Sequence, residues 1–487
     1  MYFTLFSQAQ RELRINELHI DLQVLEDITL GVSPGIDKND SELITQKINE
    51  SISILKEPMN TVDFFELLSD LNLPNRVDEH GNITLPGEIL QKIFKDAKLF
   101  PIPVVFVGNE LMVNIKGTAI PFGSIIESIN EKSIQDISRR FTDNFTNNYN
   151  KMKVERQLSY LFLILNGSSE SYEVIYRPKS DLATQKKVLV DGVDLQTIEE
   201  MRKKRVYPQN REKLRRLMNT HYLPSRKTFI FQLNSFSWDD DYPTGRISAF
   251  YSEEEEFEAS FENIFDQIRE SGAEKLIIDL RYNSGGNTEI PAKLYSFLAR
   301  KPFYETINLF MPDFQIPHPE YVTQIGGRAV EDESEVSSYI RNLMDDYQPS
   351  DSGFVQPYFN NVKREPHSNT FNGDVYLLTG GRTVSASAYF TAMFKAYGRG
   401  TIIGRRTGGS HRAVTAGRIL KYRLPNSGIE VYAPLMLVTY SDEIYQNVPE
   451  YFIEPDITIG RDDRYLHMIN GEDPELLESL KIISKNN

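Results

Sequence analysis

The chain has 487 residues, 40% of them hydrophobic, and sets 54 Lys and Arg against 69 Asp and Glu for a formal charge of −15. That apolar content excludes wholesale disorder, and the negative balance argues against a general grip on nucleic acid, because phosphate binding needs a positive field. The absence of cysteine excludes disulfides, thiolate zinc sites and cysteine nucleophiles, and no apolar run approaches the ~20 residues that a membrane helix requires.

The chain opens MYFTLFSQAQ. Tyr2–Phe6 is apolar, and Ser7-Gln8-Ala9 offers small residues at a spacing that a signal peptidase accepts. Residues 1–9 therefore read as a possible remnant of an export signal, with the periplasm or cell envelope as destination; an ordinary frayed terminus is the other reading. Residues 1–95 form a helical region. Leu18, Leu22 and Leu25 line one helix face, as do Phe64, Leu67, Leu68 and Leu71, and PNRVDEHGN at 74–82 interrupts the pattern. Residues 96–180 turn to a β-rich module. VVFVG, LMVNI, YLFLIL and YEVIY read as strands, and 120–137 as a turn, a strand and a short helix.

Residues 181–227 read as a charged linker or solvated helix face that carries Arg202, Lys203, Lys204, Arg205, Arg211, Lys213, Arg215 and Arg216, with a docking site for an acidic partner as the alternative. Glu253–Glu256 reads as the solvated start of a helix, where the dipole favours acidic side chains. From 228 to 487 the pattern alternates between strand and helix. FIFQLNSF is a strand, and Phe257, Phe261, Ile264, Phe265 and Ile268 mark one helix face. LIIDL at 276–280 suits a strand buried on both sides. RYNSGGN then turns the chain, and helix follows to about Arg300. VYLLTGG (375–381), a helix over 385–398 and TIIG (401–404) complete a mainly parallel sheet with right-handed crossovers. Residues 302–371, rich in Pro, Asp and Ser, read as an insertion over the site.

Two features carry chemistry. Ser385 opens a helix directly after a buried strand, at the carboxyl edge where open α/β sheets bind ligands. It is either a nucleophile beside the helix's orphan amides or simply the N-cap that such a helix prefers. Ser387, two residues on, points about 200° away around the helix, so only one of the two hydroxyls can serve a given site. The second feature is Asn283-Ser284-Gly285-Gly286, whose glycines let backbone N–H groups approach a ligand closely.

The blocks FIFQLNSF, AEKLIIDLRYNSGG and GDVYLLTGGRTVSASAYFTAMFKAYGRGTIIGRRTGG resemble, in order and spacing, the tail-specific (C-terminal processing) serine peptidases, including tricorn-like members and interphotoreceptor retinoid-binding proteins. LPNSGIEV and FIEPDITI fit that family's closing strands, and FPIPVVFVGNELMVN with IPFGSIIESIN looks like its PDZ-like module. The resemblance implies an α/β chain: a Clp protease/crotonase-like core over 228–487, the PDZ-like module at 96–180 and the N-terminal helical region. It also implies a nucleophile at Ser385 and oxyanion donors at the N–H groups of Gly285 or Gly286 and Ala386. One branch of the family places a lysine 25 residues after the serine. Here that position is Ser410, and no lysine lies between Lys395 and Lys421. The tricorn-like branch uses a histidine before the PDZ-like module, where Asp78-Glu79-His80-Gly81 stands, so His80 is the candidate base, with His411 as its competitor. A neutral imidazole can take the serine proton and return it to the leaving amine. Glu450 lies near the branch's acidic position, one residue closer to Pro455-Asp456. Asp279 reads as a structural carboxylate that fixes the Arg281 turn.

The implied activity is hydrolysis of polypeptides through an acyl-enzyme, with no cofactor, no nucleic-acid partner and no membrane span. The alternatives are a catalytically inactive peptide- or lipid-binding protein on the same scaffold, favoured by the missing lysine, and a crotonase-like enzyme of acyl-coenzyme A. The other histidines, His19, His221, His318, His367 and His467, show no metal-ligand spacing.

Overall fold

The computed structural model describes residues 12–36, 38–71, 73, 81–137, 147–208, 214–238, 252–411, 413–415, 418–448 and 451–485. The signal-like residues 1–9 lie outside that set. No helix among the described residues is long and apolar enough to cross a membrane.

A six-stranded sheet forms the centre of the molecule. Its strands are β1 (Met218–Leu223), β2 (Thr228–Leu233), β3 (Lys275–Asp279), β4 (Asp374–Thr379), β5 (Thr401–Gly404) and β6 (Ile457–Thr458), side by side in chain order. β1 runs antiparallel to β2, and every later pair is parallel. The helices are α1 (Glu253–Ser271), α2 (Ile290–Ser296), α3 (Ala386–Ala396), α4 (Arg461–Ile469) and α5 (Pro474–Lys485). Period-2 alternation sends Phe229, Phe231, Leu276, Ile278, Val375, Leu377 and Ile402 to one face, into a core shared with α1, α2 and α3. Ile277, Tyr376, Leu378 and Ile403 go to the other face, which Leu476, Leu480 and Ile483 of α5 cover. The strands are apolar throughout because both faces are roofed.

Residues 303–364 build sheet as well as loop. Phe303–Met311 and Gly353–Arg364 pair with each other, and the first also pairs with Leu437–Tyr440. Val322–Ile325 pairs with Ile419–Arg423, which joins Glu430–Pro434 and then Asn82–Thr84. The N-terminal helices Ile15–Val32, Lys38–Ile54 and Thr61–Asp70 pack their apolar faces on these strands in one shared core. A buried carboxylate locks the junction. Asp21 accepts the backbone N–H groups of Asn426 (3.0 Å) and Ser427 (2.8 Å) and the Asn426 side-chain amide (2.9 Å).

Three sequence expectations need correction. YLFLIL at 160–165 is not a strand but the end of a helix, Asn147–Asn166. Val154, Leu158 and Phe162, four residues apart, are its buried face, and that helical period outweighs the local β propensity. The charged stretch 181–227 is not simply a linker. Lys186–Asp191 pairs with Ser171–Arg177 at the edge of the antiparallel sheet built from Val104–Val107, Glu110–Val113 and Ile125–Ile129, and Met218–Leu223 is β1. Of the basic cluster, Arg202 and Lys203 end the helix Leu195–Lys203, as the helix-face alternative expected, where the dipole favours cations. Lastly, Glu253–Glu256 is not a solvated run. Ser252 and Glu255 form a capping box, but Glu256 is fully buried. Glu253 accepts the Ser237 hydroxyl (2.8 Å) and the Trp238 N–H (2.7 Å), which ties the start of α1 to the chain leaving β2.

Candidate active site

The turn after β4 is built to present Ser385. Thr383 donates its hydroxyl to the Leu280 carbonyl (2.9 Å) and accepts the Gly380 N–H (3.0 Å), so the ends of β3 and β4 are stitched together. Ser385 follows at the N-cap position of α3 with φ 53° and ψ −131°, a conformation that L residues rarely adopt, and its side chain makes no capping hydrogen bond. The expectation of an ordinary cap therefore fails: the residue holds the cap position with its hydroxyl turned elsewhere. Holding a non-glycine residue there costs about 1–3 kcal/mol and persists only where packing enforces it. Packing does so from two sides, through Gly285 and through Gly409, where an added Cβ would lie 3.2 Å from the Ser385 nitrogen.

Ser385 is 8% exposed, whereas Ser387 is fully buried. The Ser387 hydroxyl is among the described buried atoms that have no hydrogen-bond partner. Of the two rivals, only Ser385 reaches the surface. Tyr389, one turn further along α3, stacks on Tyr440 at 3.9 Å and so fixes the helix against the second sheet.

The NSGG turn meets the serine from β3. Asn283 Oδ1 accepts the Gly285 N–H (2.8 Å), and the Gly285 carbonyl accepts the Phe236 N–H (2.7 Å). Asn287 donates its N–H to the Phe236 carbonyl (3.0 Å), which completes a parallel bridge between Phe236 and Gly286. In that pattern the bridging bonds belong to the neighbours of Gly286, so its own N–H points to the opposite side. Gly285 and Gly286 have φ of 93° and 137°. An added Cβ would lie 2.7 Å from the Ser385 Cβ at Gly285 and 2.4 Å from the Phe236 carbonyl carbon at Gly286. Both positions need glycine for close approach as well as for conformation. Since Asn283 already engages the Gly285 amide, Gly286 is the better placed of the two candidate donors. Ala386 opens α3, where an amide has no intrahelical acceptor.

Asp279 has the structural role expected of it. It accepts from the Arg281 N–H (3.1 Å) and guanidinium (2.9 and 2.7 Å), and Arg281 also reaches Asp473 (2.6 Å) and Glu475 (3.0 Å). Arg464 pairs with Glu475 at 2.6 Å. Burial opposes the Glu475 charge, but Arg464, Arg281 and Arg405 more than offset it and hold the carboxyl down to about 2.

His80 and Glu450 lie outside the described residues. Asn82–Thr84 pairs with Glu430–Tyr432. His411 is fully buried, with Nε2 3.1 Å from the Val448 carbonyl oxygen. Ser410, at the position of the missing lysine, is also buried. Of the other described histidines, His367 stacks on Phe297 at 3.9 Å, His318 Nε2 lies 2.9 Å from Asp27, and His467 Nδ1 lies 2.7 Å from Glu472. Reading the residues missed Gly409 as a wall of the serine turn and Glu253 as an anchor. The Thr-Gly-Gly run ahead of His411 was the available signal for the first.

The parallel sheet thus brings a serine at positive φ against a double-glycine turn, an arrangement that suits a serine hydrolase. Residues 245–459 match the model of Peptidase family S41, a family of serine-type peptidases, and the chain has a Clp/crotonase-like α/β core behind an N-terminal helical region. Its fold is similar to that of CPAF. Against mature CPAF complexed with lactacystin the TM-score is 0.61, at 16% identity over 97% of this chain and 99% of that one. Against mature CPAF alone the TM-score is 0.59, at 17% identity over 93% and 94%. No curated protein matches the sequence.

Proposed function

We propose that this serine peptidase cleaves polypeptides through an acyl-enzyme on Ser385. Its Oγ attacks the scissile carbonyl carbon, and the N–H groups of Gly286 and Ala386 stabilise the oxyanion that forms. His80 takes the serine proton and returns it to the leaving amine, then activates the water that releases the acyl group. Glu450 orients that imidazole. A PDZ-like role for the sheet over 104–191 would be to seat one end of the substrate. The observation that carries the reading is the backbone of Ser385: a non-glycine residue held at positive φ, at a cap position it does not use, against a glycine turn.

A fluorophosphonate probe tests it, because only an activated hydroxyl reacts. The label should map to Ser385 by peptide mass spectrometry, and His80→Ala should slow labelling without unfolding the chain. No label, or a label on another residue, removes Ser385 from the mechanism.

A further inference from the structure

The loop that follows β5 is gripped on two sides. Toward the serine, the Gly408 N–H donates to the Thr383 carbonyl (3.1 Å), and an added Cβ at Gly409 would lie 2.9 Å from the Val384 Cβ. Away from the serine, four bonds tie the loop to the chain over 448–453. Thr407 donates its N–H to the Ile453 carbonyl (3.1 Å), and its hydroxyl oxygen accepts the Ile453 N–H (3.0 Å). His411 supplies the other two, from its backbone N–H to the Tyr451 carbonyl (3.4 Å) and from its ring to the Val448 carbonyl (3.1 Å). A carbonyl oxygen only accepts, so Nε2 carries a proton in this contact and cannot receive one from a serine. Val448 is itself anchored, with its N–H donated to Ile444 as the last turn of Asp442–Asn447 closes.

We infer that His411 is a positioning residue. Its ring N–H clamps the end of the Asp442–Asn447 helix and so holds the 407–409 loop against the backbone of Ser385. The inference rests on the reading of Ser385 as nucleophile. The geometry recommends this histidine over others because it is fully buried, its Nε2 meets a carbonyl, and the loop it closes touches the serine's own backbone. A ring serving only to fill space would need no donor here.

Peptide turnover and the rate of fluorophosphonate labelling, measured on the full chain, decide the matter. His411→Leu keeps the bulk and loses the donor. It should lower kcat by about 100-fold with KM near that of the parent, as expected when a reacting group is misplaced by about 1 Å. His411→Gln, whose amide reaches toward the Nε2 position, should restore most of kcat and of the labelling rate. His411→Asn, too short to reach Val448, should behave as the leucine variant does and replaces it if leucine prevents folding. Parental kcat in the leucine or asparagine variant overturns the inference, and so does a glutamine variant as slow as they are. A parent that neither turns over peptide nor labels overturns the nucleophile reading, and the inference with it. A parent that labels, with variants that label equally fast, overturns the inference alone.

Discussion

A side chain at Gly285 would place its Cβ 2.7 Å from the Cβ of Ser385 and 3.0 Å from the nitrogen of Ala386. The turn after β3 is thus moulded directly on the proposed nucleophile, and a methyl group there has to move it. Gly285→Ala should leave a folded protein with kcat lowered by about 100-fold, the usual consequence of small displacements at a reacting centre. Gly286→Ala meets backbone rather than side chain, at 2.4 Å from the Phe236 carbonyl carbon, and the bridge cannot yield. It should lower the melting temperature as well as activity. Paired kinetics and thermal melts check both, and parental kcat in Gly285→Ala would show that the serine is not held by this contact.

Ser385→Ala should abolish peptide turnover, by roughly 10⁴–10⁶-fold by analogy with other serine peptidases, while circular dichroism and melting stay near those of the parent. Ser387→Ala should keep activity. It should change stability by no more than about 1 kcal/mol, because a buried hydroxyl without a partner contributes little that a methyl group does not. Equal losses in the two variants would refute the assignment of roles.

Asp21 makes three hydrogen bonds across 405 residues or more of chain, from inside a fully buried setting. Asp21→Ala leaves those donors unanswered and should destabilise the chain by about 3 kcal/mol in urea unfolding. Asp27→Ala, which breaks an ion pair with His318 in which the aspartate side chain is 57% exposed, should stay within about 0.5 kcal/mol. Similar costs for the two would mean that Asp21 does not lock the junction.

The Glu475 carboxyl is held down to about 2, against an ordinary value of 4.5. A depressed folded-state value favours the fold above the unfolded value, so this contribution is fully present above about pH 4.5 and is lost as pH falls toward 2. Glu155 and Glu305 are raised by burial and slope the other way, so the total curve mixes both signs. The difference between parent and Glu475→Gln isolates the term. The variant should be less stable at neutral pH, and the gap should narrow between pH 4.5 and 2. A gap that does not change with pH would mean that Arg464, Arg281 and Arg405 do not act on this carboxylate as a charge.

Much of the centre of the molecule could be read from residues alone. LIIDL and VYLLT are apolar without alternation because two roofs cover them, and the helix over 257–268 repeats at its own period; both signals are local. Ser385 and the double glycine were legible as a pair through their place between those elements and through the family pattern. What chain order could not supply was orientation and partnership. Ser385 and Ser387 are the same residue type two positions apart, and only the packed turn leaves one partly accessible and the other fully buried. Gly285 and Gly286 are identical as letters. It is Asn283 and the bridge to Phe236 that engage the amide of the first and direct that of the second away. The burial of Glu256, the edge pairing of Lys186–Asp191 and the grip of His411 on Val448 belong to the same class. A sequence specifies periodicity and size over neighbouring positions, whereas the partner of a buried polar group is set by chain segments tens to hundreds of residues away.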